Sequence, residues 1–224
     1  MNDDFQRRLA AAFPPETDQG LIRAINEGIL LADGLVDAEP FLSNLIGRDL
    51  RGHLRRAGIL FRLNGACAEG LLPFQAVIGK MPRGHLHWLE ISSGEFDAHL
   101  CRTEGPFSFP EDTLTRQDER LRNQLDLFEP NYMPPRESAA SDRLAAWLMF
   151  GGNTSGQLQH LCWAMPEATG DHWLAHVNVL RRAAANSDLP ETNAQASKSL
   201  TLKFKEHIEL DLARRGIVSD KNSV

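Results

Sequence analysis

The 224-residue chain has three cysteines, one tyrosine and no apolar run longer than the seven residues from Leu144 to Phe150. A membrane-spanning helix needs about 18 or more consecutive apolar residues, so none is expected. Cys67, Cys101 and Cys162 are odd in number and form no C-x-x-C pair. That pattern fits a reducing compartment better than a disulfide-stapled secreted domain. The start, Met1-Asn2-Asp3-Asp4, is acidic and lacks the apolar core and small-residue cleavage site of a secretory signal. A cytoplasmic location is the expectation.

Several chemical motifs are also missing. Gly151-Gly152-Asn153-Thr154-Ser155-Gly156 has no lysine after it and reads as a hairpin loop, not a phosphate loop. There is no G-x-S-x-G elbow, no H-E-x-x-H helix, and no helix-turn-helix or zinc-finger spacing. Aromatics are only 7% of residues and lie in apolar contexts, so no stacking platform for bases is legible.

What remains is a globular composition, 42% hydrophobic and 24% charged, with net charge −6. The charge is blocked along the chain. Residues 1–40 carry 3 basic and 8 acidic groups, 41–83 carry 7 and 2, 84–130 carry 4 and 10, and 131–224 carry 10 of each. One basic surface is thus set against two acidic ones, either within the fold or toward a partner.

The periodicities predict an α+β fold in a single domain over 1–216: a helical part (1–66), a sheet part (73–182) and a C-terminal helix (199–216), followed by a flexible tail (217–224). Thr17 or Asp18 caps a helix with Leu21, Ile22, Ile25 and Ile29 on its apolar face. A second helix starts at Ser43 and stops near Asn64-Gly65, with Gly47, Gly52 and Gly58 weakening it. Phe74–Gly79, His85–Ser92 and Phe96–Arg102 read as an antiparallel meander, and Gln157–Met165 with His172–Leu180 as a second hairpin. Leu144–Phe150 reads as either a strand or a short helix. The sheet is expected to be antiparallel, with five or six strands, and to carry one inserted helix over 113–128.

Two constellations could carry function. His85, His87, His99, Cys101, His160, Cys162 and His176 all fall in expected strands, where side chains alternate between faces. A three-residue Ser92-Ser93-Gly94 loop would set His87 opposite His99 and His85 opposite Cys101; a Ser93-Gly94 loop would disperse the cluster. In the second hairpin, either Cys162 or Trp163 would face His176. Imidazole and thiolate are ligands for zinc and related metals, which makes a small metal-dependent hydrolase or oxygenase one reading.

The other constellation is Arg48, Arg51, Arg55 and Arg62, at i, i+3, i+7 and i+14 on one helical face, with Arg56 beside them. Guanidinium forks suit carboxylate and phosphate. The favoured reading is a non-enzymatic accessory or regulatory protein without cofactor. It would bind an acidic macromolecular partner, protein or nucleic acid, through this face and would not engage a membrane.

Overall fold

A computed structural model of the chain describes residues 3–80, 87–124, 143–153 and 156–186. Residues 1–185 form one compact unit, which is the one treated below, and 186–224 a second. The helix expected over 199–216 and the tail over 217–224 lie outside the described residues. So do the last four residues, 125–128, of the helix expected over 113–128.

The fold is α+β. Helix α1 (Asp3–Ala12) leads through a short 3-10 turn (Pro15–Thr17) into α2 (Asp18–Ala38). A short α3 (Pro40–Ser43) precedes the second expected helix, which is two pieces, α4 (Leu45–Asp49) and α5 (Arg51–Ala68). Helix α3 ends because Asn44 turns extended, with ψ 174°, and its side chain caps α4 by accepting from the Gly47 N–H at 2.8 Å. Helix α5 runs through Asn64-Gly65 and is followed by Gly70 at φ +72°, a left-handed position that glycine adopts without strain.

Among the described residues six strands follow, in spatial order matching the chain: β1 (Gln75–Lys80), β2 (His87–Ser93), β3 (Phe96–Arg102), β4 (Leu144–Gly152), β5 (Leu158–Pro166) and β6 (Trp173–Asn178). Helix α6 (Leu114–Leu121), capped by Thr113, interrupts them, and α7 (Val179–Asn186) closes the unit. The sheet is mixed, not antiparallel throughout. Strands β3 and β4 are parallel, because the connection carrying α6 returns the chain to start a second meander in the same direction.

Both hairpin registers differ from expectation. Ser93 pairs with Phe96, leaving Gly94-Glu95 as the turn, with Gly94 at φ +54°. That register sends Leu89, Ile91, Phe96 and Ala98 into the main core and sets His99 opposite Glu90. The His87–His99 pairing does not form, and His85, expected opposite Cys101, lies outside the described residues. In the second hairpin His176 faces Ala164, not Cys162 or Trp163.

One sheet face packs against α1, α2 and α5. Phe13 stacks on the fully buried Trp163 at 3.8 Å. Helices α2 and α5 cross closely: a Cβ on Gly58 would lie 2.3 Å from the Gly28 carbonyl oxygen. Gly58, a cost to helix propensity, thus permits the contact that places the α5 arginines beside α2. Among the described residues no helix is long and apolar enough to cross a membrane.

Candidate functional site

The arginines do not form one outward face, because α4 and α5 are separate helices and α5 lies along an acidic helix. Arg55 makes a two-pronged bond to Asp33, Nε to Oδ1 at 2.8 Å and Nη2 to Oδ2 at 2.7 Å. Arg62 pairs with Glu27, and Arg51 with Asp37 at 3.3 Å and Asp33 at 3.9 Å. Residues 27, 33 and 37 thus descend α2 as 62, 55 and 51 ascend α5. Much of the positive block in 41–83 is answered inside the fold by the acidic block in 1–40. Arg56 turns elsewhere and donates to the His87 carbonyl at 3.2 Å.

Those pairs fix guanidinium groups along the wall of a cleft of about 460 Å³. Arg48, Arg51, Arg55 and Arg102 line it together with Ile29, Phe150 and the glycines and Asn153 around the β4–β5 turn. Among the described residues no Asp or Glu lines this cleft. Arg48 and Arg102 are exposed, and neither has a carboxylate partner among the described residues. An adjoining hollow shares Gly52, Arg102, Phe150 and Gly152 with the cleft and continues it toward Arg56 and Arg116. Arg62 lines neither.

Arg102 was not legible as a member of this site. It sits in the acidic segment 84–130 at the end of a strand, with no helical spacing to join it to the others. The parallel β3–β4 pairing, which sets Arg102 against Phe150, is what delivers it. The usable signal was a lone arginine at a strand end beside a turn.

His99, Cys101, His160, Cys162 and His176 share the opposite sheet face but are engaged one by one. Cross-strand pairs His99–Trp147, Cys101–Met149, Met149–Cys162, Gly151–His160 and Ala164–His176 put them on that side. His99 donates from Nδ1 to Glu119 Oε1 at 2.9 Å, while Trp147 Nε1 donates to Glu119 Oε2 at 2.7 Å. Glu90 Oε2 stands 3.5 Å from His99 Nε2, an ion-pair contact and not a hydrogen bond. Burial opposes the imidazolium, but the Glu119 hydrogen bond and the Glu90 carboxylate outweigh it and raise the His99 pKa to about 9.

His160 Nε2 lies 2.8 Å from Thr103 Oγ1, and His176 Nε2 donates to the Pro106 carbonyl at 2.7 Å. Burial lowers the pKa of both rings. It also pushes the Cys101 and Cys162 thiols up to about 12. His87 is exposed at the start of β2. Among the described residues no three His, Cys, Asp or Glu side chains converge on a point where a metal could sit.

No protein-family model, curated protein or solved structure matches this chain.

Proposed function

We propose that this is a non-enzymatic cytoplasmic binding protein that captures an acidic segment of a partner protein in the arginine-lined cleft. The observation that carries the reading is a cleft walled, among the described residues, by four arginines and no acid, two of the four having no carboxylate partner among those residues. Arg51 and Arg55 are held in place by α2 carboxylates, which lowers the entropy lost when they meet a ligand. Arg48 and Arg102 supply the uncompensated charge.

A protein segment suits the site better than a nucleic acid. The net charge of −6 repels a long polyanion at a distance, while a short acidic segment meets mainly the local field. Among the described residues Phe150 is the one aromatic lining the cleft and it is buried, so none of them offers an exposed ring to a base.

Arg51 and Arg55 are poor test positions because reversing them would set like charges against Asp33 and Asp37 on α2. Arg48→Glu with Arg102→Glu is the informative variant. Fluorescence polarisation with a labelled Asp/Glu-rich peptide should show saturable binding that weakens at least about tenfold in the double variant, about 1.4 kcal/mol. The melting temperature should hardly change. Unaltered peptide affinity would overturn the reading, and tighter binding of a single-stranded oligonucleotide would replace the partner class.

A further inference from the structure

A smaller cavity, about 200 Å³, lies between α5, α6 and the strands β2 and β3. Arg56 enters it from α5, Arg116 and Thr113 from the start of α6, and His99 from β3. His99 is 6% exposed, and among the described residues its buried Nε2 has only the Glu90 carboxylate before it, at 3.5 Å. That contact is longer than a good hydrogen bond, so the Nε2–H can be offered to a ligand oxygen that comes closer.

Neither arginine is neutralised by a carboxylate among the described residues. Arg56 donates to the His87 carbonyl and Arg116 to the Glu111 carbonyl, and both acceptors are neutral. The two guanidiniums are close enough to act on each other: Arg56 lies below its ordinary pKa, first through burial and also through the Arg116 charge. Glu119 is the only acid lining the cavity among the described residues, and both its oxygens are taken, by His99 and by Trp147.

We propose that this cavity is a phosphate site, in which Arg56, Arg116 and His99 Nε2–H close on the oxygens of inorganic phosphate or a small phosphate monoester. Three donors arriving from two helices and a strand surround a tetrahedral oxyanion, whereas a planar carboxylate presents only two oxygens in one plane. The Thr113 hydroxyl lies on the same wall. The volume is below that of a pocket for a drug-sized ligand, which limits the ester group to a small one. Glu90 is the group in competition: its carboxylate stands beside Nε2 on a part-exposed side chain and must swing away when phosphate enters. Cys101 shares the cavity, but its buried thiol is protonated and takes no part as a nucleophile.

Calorimetric titration with inorganic phosphate, glycerol phosphate and acetate tests the site, with the fluorescence of Trp88, stacked on His99 at 4.0 Å, as a second readout. Either phosphate compound should bind saturably, and the tighter of the two identifies the source. Arg56→Gln and Arg116→Gln should each weaken binding at least about tenfold. Glu90→Gln should tighten it several-fold, an effect that loss of fold cannot mimic. The Arg48→Glu, Arg102→Glu double variant should bind phosphate as the wild type does, which separates this site from the partner cleft. No saturable binding up to about 10 mM phosphate would overturn the proposal. So would acetate binding equally well, or loss of binding only in the Arg48, Arg102 variant.

Discussion

The two faces of the sheet bury different chemistry. Against α1, α2 and α5 the contacts are Phe13 on Trp163, with Leu21, Ile25, Ile59 and Leu63 beside Leu89, Ile91, Leu148 and Leu161. On the opposite face the apolar cluster is short, Cys101, Trp147, Met149, Cys162 and Ala164. Around it Asp97, His99, Thr103, Glu119, Asn123, His160 and His176 are also buried. The first face stabilises through area removed from water, a term insensitive to pH. The second depends on every polar group finding its partner, so its contribution varies with protonation and with ligand.

Three substitutions probe that contrast. Trp163→Ala, on the apolar face, should have the largest effect, about 4 kcal/mol in urea denaturation, nearly the same from pH 6 to pH 9. A strong pH dependence of that loss would break the comparison.

Glu119→Gln, on the polar face, should cost on the order of 3 kcal/mol at pH 6 and progressively less above neutrality. The sign follows from His99. Its folded pKa, about 9, lies above the ordinary 6.5, so the stabilisation is complete below about pH 6.5 and is lost as pH rises through 9. Wild-type stability should therefore decline across that window, and the variant should flatten the decline. His160 and His176 have the opposite sign: their lowered pKa values stabilise above about 6.5 and cease to do so as pH falls. An unchanged alkaline limb in Glu119→Gln would remove the linkage.

Glu27→Gln, which breaks a part-exposed pair with Arg62 on the α2–α5 surface, should have the smallest effect, less than about 1 kcal/mol and smaller still in high salt. A larger loss would mean that this helix pairing is held by its charges and not by the Gly28–Gly58 approach.

Much of the element plan was legible from neighbouring residues. Strand β3 runs from Phe96 to Arg102, as alternation and the Ser-Gly turn signal imply, and Thr113 caps α6 where proline punctuation places a helix start. The start of α2 after Pro14-Pro15 and the β5–β6 hairpin were equally readable. The candidate site was legible only in part. Arg48, Arg51 and Arg55 do line the cleft, but their shared helical face dissolved where Asn44 and Leu50 broke the helix. A shift of three residues in the β2–β3 hairpin moved His99 from His87 to Glu90. Local propensity cannot choose between such registers; burial of Leu89 and Ile91 does.

Composition and periodicity thus settle the fold class and the place of most strands and of the longer helices, because those depend on residues a few positions apart. Which acid answers which arginine, where Arg102 arrives and which carboxylates meet His99 all came from packing. Each depends on the distance between groups far apart along the chain, set by the crossing of α2 over α5 and the parallel joining of β3 to β4.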